Sequence, residues 1–410
     1  MPKKSGNIYS DIIDIDNIKR AHLNAKKDKS FYSAVVKTSN NLDECSQKIH
    51  KMLKNHTYQV SPYKTSLIQD KNKKRILFKL PYYPDRIIQW AIMLQIEPIF
   101  RKTMTDFTCA SIPGRGIHQA SELVDKWINS DPKRTKYCLK LDIKKFYPSI
   151  NRKILKKLLR RKFKDKDLLI ELDKIIDSMD NCDISKIDLP QEEKELYLRP
   201  GKGIPVGSYL SQYLANYYLT FFDHWLKEVL HCPYVVRYMD DIVVFGETKE
   251  QLQEWLFLIK EYLSSELDLE IKSNYQIFPV DARGVDFVGY RHFRGYKLLR
   301  KTTLKTFKQT AIKMQKYNQE YKLPTDKEWC TWVSSLGWIQ WCDSKHFYKK
   351  YYEDSIPIVN TYYSLYKKSK YKKASYQFMT PNRKKINNKK YYNKNWHNII
   401  HIIQFYHLQQ

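Results

Sequence analysis

The chain has 410 residues, 42% of them hydrophobic and 14% aromatic, which allows a substantial core and excludes a disordered protein. Its 73 Lys and Arg outnumber its 44 Asp and Glu, and the net charge of +29 predicts a polyanionic partner, usually nucleic acid. A lysine-rich codon bias is the alternative explanation for this charge, although such a bias would normally raise the acidic content as well.

The seven cysteines are scattered and include no Cys-x-x-Cys pair, which argues against a zinc site and favours reduced thiols. No apolar segment follows Lys3 and Lys4, so we expect no signal peptide. No run of about 18 apolar residues predicts a membrane span. We therefore expect a cytoplasmic protein that has no membrane partner.

The first half of the chain predicts helices before strands. Residues 1–60 are polar and lysine-rich and predict a helical N-terminal extension. Next come a short apolar strand among cations, an apolar helix and a glycine-punctuated loop at 111–116, which leads into a helix from about 118 to 128. The alternation of Leu139 and Leu141 then predicts a strand that ends at Asp142.

A basic helix is predicted from Arg152 to Lys166, within a region at about 151–200 that we interpret as an insertion. The glycine-bounded segment 201–208 leads into a long helix whose apolar stripe is typical of core packing. A further amphipathic helix, a strand at 267–272 and a hairpin starting at Val285 follow. This order favours an α+β fold with an antiparallel sheet, and helices from about Thr302 onward.

Residues 238–241, Tyr-Met-Asp-Asp, lie between two apolar, β-branched runs and predict a hairpin tip. Adjacent carboxylates repel each other and favour a cation between them, and hard oxygen ligands suit Mg²⁺. A surface turn is the alternative, because Asp is a common turn residue. If Asp142 ends a neighbouring strand, three carboxylates meet, and two Mg²⁺ ions, or Mn²⁺ in their place, would support phosphoryl transfer to a primer 3′-hydroxyl.

The end of the chain is basic and rich in tyrosine. Between Thr361 and His397 it holds eleven Lys or Arg and seven Tyr, and no acidic residue follows Asp354. Cations neutralise phosphates and aromatic rings stack on unpaired bases, so this tail predicts RNA binding. A helical extension with codon-biased lysines is the alternative.

Four segments together resemble the motifs of reverse transcriptases. Residues 141–150 are similar to the first catalytic motif and residues 238–241 to the second, with 204–208 similar to the motif between them. Residues 287–290, Phe-Val-Gly-Tyr, are similar to the hairpin that grips the primer. The four segments occur in the family's order and cover residues 70–295.

The resemblance implies a right-hand polymerase of the α+β class. It places a helical N-terminal extension at 1–60, fingers at 61–136, a palm at 137–295 with the insertion at about 151–200, a helical thumb at 296–360 and a basic, Tyr- and Lys-rich C-terminal extension at 361–410.

The resemblance also implies roles for matching residues. Catalysis falls to Asp142, Asp240 and Asp241, which with Ile143 would hold the metal ions. Nucleotide binding falls to Lys73, Arg75, Tyr147, Val206, Gly207 and Lys272. Template or primer contacts fall to Arg115, Tyr238, Met239, Gly289 and Tyr290. Tyr147 would exclude a 2′-hydroxyl, and Lys272 falls near the position that protonates pyrophosphate. Each role has a plain structural alternative. Tyr147 could be a core tyrosine, and Lys73 and Arg75 could belong to a solvated lysine run. Arg115 could lie in a simple loop, and Lys272 could be solvated.

Val206 departs from many retroviral and group II intron enzymes, which have Gln at this place. An apolar residue here is similar to diversity-generating, abortive-infection and defence-associated bacterial branches. The resemblance therefore implies an RNA-directed DNA polymerase that uses dNTPs and a structured non-coding RNA template to make DNA in antiviral defence. Diversity generation, a retron-type role, template-independent or protein-primed synthesis and a non-catalytic RNA-binding scaffold stay open. So does the choice between a homo-oligomer and an accessory protein.

Overall fold

The computed structural model describes residues 4–70, 73–320, 322 and 324–353. These residues form helices and antiparallel sheets, an α+β fold as the sequence predicts. They divide into two compact units, the first formed by the chain up to Leu123 with Asp131–Pro279 and the second by Val124–Ser130 with the chain from Val280. The basic tail at 361–410 lies outside the described residues. No helix in the described part is both long and apolar enough to cross a membrane.

The N-terminal residues are helical, as predicted. The helices are α1 (Tyr9–Ile13), α2 (Ile15–Ala25), α3 (Ser33–Asn40) and α4 (Leu42–Lys54). Helix α2 begins where the Asp14 side chain accepts a hydrogen bond from the Asn17 backbone, which satisfies a free N–H of the first turn. Helix α2 packs along α5 (Ile87–Arg101), so that this extension joins the main core of the first unit.

A hairpin of β1 (Lys64–Asp70) and β2 (Lys73–Lys79) follows α4. Ile76 and Phe78 of β2 are buried in a small separate core. The other buried members of this core are Tyr63, Met179, Cys182, Ile184 and Leu189. The predicted insertion therefore folds back onto the β1–β2 hairpin and supplies most of its apolar cover.

A four-stranded antiparallel sheet lies at the centre of the first unit, in the order β4-β5-β3-β6. Its strands are β3 (Tyr137–Asp142), β4 (Val235–Tyr238), β5 (Asp241–Gly246) and β6 (Gln276–Pro279). All residues of β5 after Asp241 are buried, and α12 (Lys249–Leu267) packs across β3, β5 and β6 and covers one face of the sheet. The predicted strand and hairpin are thus neighbours in one sheet.

Four helices connect β3 to the glycine-bounded segment: α7 (Phe146–Ser149), α8 (Arg152–Lys162), α9 (Lys166–Asp177) and α10 (Gln191–Leu198). The predicted basic helix to Lys166 is too long. It ends at Lys162, because Phe163 has extended backbone (φ −109°, ψ 139°). The Asp165 side chain then accepts from the Leu168 N–H and begins the next helix.

Helix α6 (Ile117–Ser130) follows the glycine loop, and α11 (Tyr209–Glu228) carries the predicted core stripe. The predicted strand at 267–272 is wrong. Helix α12 continues to Leu267, and Asp268 reverses the chain in a left-handed conformation (φ 52°). Only Ile271 then bridges to Ile143, and the edge strand next to β3 is β6.

The second unit contains a three-stranded antiparallel sheet and several helices. Its elements are β7 (Val285–Phe287), β8 (Tyr290–Phe293), β9 (Tyr296–Leu299), α13 (Val280–Arg283), α14 (Lys301–Gln319), α15 (Asp326–Ile339) and α16 (Lys345–Tyr351). Trp332, Leu336 and Tyr352 lie in its core. The longer stretch of this unit starts at Val280, whereas the palm was predicted to reach residue 295, and residues 296–299 form a strand instead of a helix.

Candidate active site

The β4–β5 hairpin carries two aspartates to the point where β3 ends. Tyr238 pairs with Asp241, which leaves Met239 and Asp240 as a two-residue loop. Asp142, the last residue of β3, pairs with Asp241 on the other side of β5. Because directly opposed residues of an antiparallel pair carry their side chains on one face, Asp142 and Asp241 lie side by side.

The backbone ties this turn to β3 a second time. Ile143 donates its N–H to the carbonyl of Asp240 at 3.1 Å. The Ile143 side chain is fully buried and apolar, so only its backbone oxygen could serve as a metal ligand. Tyr238 is half-buried at the end of β4, and burial raises the pKa of its hydroxyl.

Asp142 and Asp240 are close enough for the charge of one to influence the other. Burial, and next the charge of Asp142, raise the pKa of Asp240. Lys272 opposes this shift, since its Nζ lies 2.6 Å from Asp142 Oδ1 while its N–H donates to the Asp142 carbonyl at 2.9 Å. Lys140 Nζ lies 4.0 Å from Asp241 Oδ2. Two ammonium groups therefore face three carboxylates, and Lys272 lies in the site instead of in solvent.

This donor set fits a hard divalent cation. No three or more His, Cys, Asp or Glu side chains in the described chain stand in a ready-made metal-binding arrangement. However, Asp142 and Asp240 contact each other at a half-buried position, and the ammonium of Lys272 already partly balances their charge. Carboxylate oxygens are the ligands that Mg²⁺ prefers. Asp142 and Asp240 are thus the residues best placed to hold such an ion, with Asp241 alongside.

We did not single out Arg237 from the sequence, although it supports the acidic turn. Its side chain is fully buried, and its Nε and Nη2 donate to the two carboxylate oxygens of Asp223, at 2.7 and 2.5 Å. Its Nη1 donates to Asn216 Oδ1 at 3.1 Å and to the Met239 carbonyl at 3.0 Å. Met239 is left-handed (φ 56°), a strained conformation for a residue other than glycine. The signal for this residue was a charge inside an otherwise apolar strand.

Tyr147 borders the carboxylates. Its hydroxyl lies 3.9 Å from the Met239 sulfur. Burial, and after it the negative charge of Asp240, raise the pKa of Tyr147. The ring is half-buried and packs against the main core. Tyr147 therefore packs at the edge of the core, as a core tyrosine would, and also lies next to the candidate site, as a residue that contacts the nucleotide would.

The segment with Val206 and Gly207 is held against β2. The Val206 carbonyl accepts the N–H of Phe78 at 3.0 Å. Gly207 has a φ of 123°, and a Cβ at this position would lie 2.7 Å from Leu77 Cδ1 and 2.9 Å from the Phe78 carbonyl oxygen. Only glycine combines this conformation with such a close approach. The half-exposed Val206 side chain is therefore fixed in place by its backbone.

The predicted cations have different surroundings. Lys73 and Arg75 both lie on β2, with Lys73 paired to Asp70 in the register and Arg75 exposed. Arg115 instead uses its Nη1 to donate to the carbonyls of Thr105 and Thr108, at 2.6 and 3.0 Å. The guanidinium of Arg115 therefore stabilises its own loop, which was the alternative interpretation.

Gly289 and Tyr290 lie in the second unit. Gly289 has a φ of 91°, and a Cβ here would collide with the Trp338 ring. Tyr290 is fully buried, and its hydroxyl donates to the Trp338 carbonyl at 3.1 Å. The expected primer contact of the Tyr290 side chain therefore needs correction, because the ring is a core residue that a primer does not reach. The half-exposed backbone at Gly289 remains accessible.

Comparison with known proteins places this site in a family. Residues 68–292 match the family described as "Reverse transcriptase (RNA-dependent DNA polymerase)". The chain is 26% identical over 172 residues to "Protein YkfC" of Escherichia coli (strain K12), an alignment that covers 42% of each protein. It is 25% identical over 188 residues to "Group II intron-encoded protein LtrA" of Lactococcus lactis subsp. cremoris, which covers 46% of this chain and 29% of LtrA. The chain thus spans less than half the length of these curated relatives.

Similar solved structures include telomerase from Candida Tropicalis. The apo form truncated from the C-terminal domain has a TM-score of 0.39 at 14% identity, covering 60% of this chain and 56% of that one. The form in complex with a TWJ fragment of telomeric RNA has a TM-score of 0.40 at 12% identity, covering 71% and 55%.

Proposed function

The chain belongs to the reverse transcriptase family, and from this premise we propose that it is an RNA-directed DNA polymerase that adds dNTPs to a primer 3′-hydroxyl. The observation that carries this proposal is the meeting of Asp142, Asp240 and Asp241 at one end of the central sheet. Carboxylates that would repel one another are what a polymerase needs to hold divalent cations next to a triphosphate.

Asp142 and Asp240 would hold two Mg²⁺ ions, with Asp241 and the Ile143 backbone assisting. When bound, such ions stabilise charge on the attacking and leaving oxygens of the phosphoryl transfer. Lys272 forms an ion pair with Asp142, its Nζ lying 2.6 Å from Asp142 Oδ1. Its Nζ also carries a proton next to the site, which the pyrophosphate leaving group would take up. Tyr238 and Met239 shape the turn that faces the primer.

We assign nucleotide selection to Tyr147, Val206 and Gly207. Tyr147 would stack below the sugar and exclude a 2′-hydroxyl, which favours dNTPs over rNTPs. Val206 and Gly207 would lie along the incoming nucleotide, on a backbone that β2 holds in place. Lys73 and Arg75 of the same hairpin would contact the triphosphate by charge-assisted hydrogen bonds.

We further propose that the template is a structured non-coding RNA and that the enzyme acts in the cytoplasm in antiviral defence. Val206 in place of Gln and the net charge of +29 support this context. Diversity generation and a retron-type role are the nearest alternatives. Sequencing the RNA that copurifies with the protein, together with the DNA it makes, would separate them, because each context predicts a different template.

The polymerase activity is tested by dNTP incorporation on an RNA template with Mg²⁺. We expect the Asp240→Ala, Asp241→Ala double variant to lose at least about 100-fold in rate, since both changes remove charge from the reacting centre. The matched control is Asp11→Ala with Asp16→Ala, which removes two exposed carboxylates from α1 and α2. Equal rates from the wild type and the Asp240, Asp241 variant would refute the assignment. RNA binding by an inactive wild type would favour the scaffold.

A further inference from the structure

Helix α8 presents two rows of cations that differ in their surroundings. In the first row each cation contacts a carboxylate of the segment that follows: Arg152 with Asp180, Lys156 with Asp177, and Arg160 with Asp173. The second row, which we call the free basic row, consists of Lys153, Lys157 and Arg161. Within the described residues none of these three has a carboxylate at ion-pair distance, and all three are exposed. Arg161 only faces the Phe221 ring, at 5.7 Å from its centroid.

The free basic row leaves positive charge uncompensated. Like charges four residues apart on a helix lie close together and repel each other. The first row relieves this repulsion through the three aspartates, whereas the free basic row has no such relief. Lys162, the last residue of α8, lies near a further cation, because burial, and next the positive charge of Lys102, lower the pKa of Lys162.

The same face of α8 borders a concave surface. A cleft of about 510 Å³ is lined by five cations of α8, together with Asp177 and Gly201. Its cations are Arg152, Lys153, Lys156, Lys157 and Arg160. A cleft whose lining is mostly of one sign of charge concentrates counter-ions of the other sign, and here five cations face the single carboxylate of Asp177. The geometry therefore favours an anion with several charges.

We propose that the free basic row binds the phosphate groups of an RNA strand, at a site that includes none of the candidate catalytic residues. This inference rests on the proposed function, in which RNA is the template and therefore a polyanion that the protein binds. Residues four apart repeat about every 6 Å along a helix, so Lys153, Lys157 and Arg161 form a line of charges suited to a backbone of repeating phosphates. Lysine binds phosphate as a point charge and needs no further geometry.

The composition of this face favours nucleic acid over an acidic protein. All apolar residues of α8 are buried or half-buried, so its exposed residues are cations alone. The centre of a protein–protein interface needs aromatic or apolar anchors and is depleted in Lys. A phosphate backbone needs only the charges that the free basic row supplies.

The test measures RNA affinity of the 410-residue protein by fluorescence anisotropy over a KCl series. The probe is a labelled single-stranded RNA of about 20 nucleotides, beside a DNA of the same sequence. We expect Lys153→Gln with Lys157→Gln to weaken RNA binding about tenfold. The salt slope should fall by about 1.4, because two phosphate contacts of a single strand are lost at about 0.7 each.

The matched control is Lys51→Gln with Lys54→Gln, which removes from the end of α4 two exposed cations that likewise have no ion pair within the described part of the chain. We expect this control to bind RNA within about twofold of the wild type. An equal loss from the control, wild-type binding by the Lys153, Lys157 variant, or a loss confined to the DNA probe would overturn the proposal. Thermal unfolding of each variant separates lost binding from lost folding. Binding is measured without dNTPs. A wild type without polymerase activity would therefore refute the proposed function, whereas the RNA affinities of the wild type and the Lys153, Lys157 variant could still be compared.

Discussion

The ionised form of Asp240 destabilises the metal-free protein. Burial and the charge of Asp142 raise its pKa, so the folded protein binds this proton more tightly than the unfolded chain does. The cost of ionising Asp240 is therefore present above its folded pKa. It disappears as the pH falls below the unfolded value of about 3.9.

We therefore expect Asp240→Asn to raise the melting temperature of the metal-free protein at pH 7, by about 1–3 °C. The difference from the wild type should shrink towards zero as the pH approaches 4. Thermal unfolding in EDTA across this pH range measures it, with Asp11→Asn on α1 as a control that should change the melting temperature less. Added Mg²⁺ should then stabilise the wild type more than the Asn variant. A lower melting temperature for Asp240→Asn in EDTA at pH 7 would contradict this reasoning.

Arg237 is the second residue whose environment predicts a measurable effect. Its guanidinium and the Asp223 carboxylate are both fully buried, so removing one partner leaves the other charge uncompensated. We expect Arg237→Met to cost about 3–5 kcal/mol of unfolding free energy, measured by urea denaturation. Adding Asp223→Leu should recover much of this loss, since buried ion pairs are often replaced by apolar residues without loss of stability.

The Arg237→Met, Asp223→Leu double variant also tests the hydrogen bond from Arg237 to the Met239 carbonyl. It lacks the donor that Arg237 Nη1 provides to the Met239 carbonyl, so we expect it to fold and yet to incorporate dNTPs with a lower kcat. Glu171→Gln is the control, because Glu171 is also fully buried and its ion-pair partners are His56 and Lys174. Full activity in the Arg237, Asp223 double variant would show that the contact is structural only.

Val206 concerns the choice of nucleotide. Its carbonyl is fixed by the Phe78 N–H, so Val206→Gln changes the side chain without freeing the backbone. A Gln amide can hydrogen-bond a base or sugar, whereas Val cannot, and one hydrogen bond is worth about 3- to 10-fold in a ratio of rates. We expect a shift of that size in at least one misincorporation ratio, read by sequencing the DNA product. Val229→Gln, at a residue 63% exposed, is the control. Unchanged error spectra would remove this role.

Some residues of the candidate site could be predicted from the sequence and others could not. The positions of the three aspartates at strand ends and in a turn could be predicted, because their motifs are local. Arg237 was not found, because its partner Asp223 lies on another element, α11, and the pairing exists only in the folded chain. The Lys272–Asp142 ion pair likewise exists only in the folded chain, since its two members are 130 positions apart in the sequence.

At the scale of elements, the hairpin register was predictable and the helix ends were not. Two apolar strands around a short polar turn fix β4 and β5, because a shift of one residue would expose a buried face. Residues 267–272 alternate like a strand, yet Leu267 ends α12 and Leu269 is buried in the loop that follows. Alternation over so few residues does not distinguish a strand from the end of a helix next to the core.

The contact between the insertion and the β1–β2 hairpin predicts a local loss of stability. Ile184 is 2% exposed and packs in the small core with Ile76 and Phe78 of β2. We expect Ile184→Ala to destabilise this region by about 2–4 kcal/mol, through lost burial and a cavity. Hydrogen exchange of the β2 amides should become faster by the corresponding factor. Ile170→Ala on α9, where Ile170 is 43% exposed, should leave this exchange unchanged. Slow exchange in both variants would mean that the hairpin is stable without the insertion.

At the scale of the whole molecule, positive charge is distributed over more than the candidate active site. The free basic row of α8 and the cations of β2 lie in the first unit, and α14 of the second unit carries more lysines. A total of +29 is large for 410 residues and predicts affinity for nucleic acid that depends strongly on salt. Composition alone indicated this property, whereas the pairing that separates free from neutralised cations is visible only in the structure.

The last prediction concerns the tail, which holds eleven Lys or Arg and no acidic residue after Asp354. Ending the chain after Asp354 keeps the described core of the second unit, because α16 ends at Tyr351 and Tyr352 is fully buried. We expect the shortened protein to bind single-stranded RNA with a salt slope smaller by at least about 2, the effect of about three phosphates. The Lys153→Gln, Lys157→Gln change should weaken binding further in the shortened chain, since the two regions would contact different phosphates. Unchanged RNA affinity at physiological salt after the truncation would assign the binding to the described units alone.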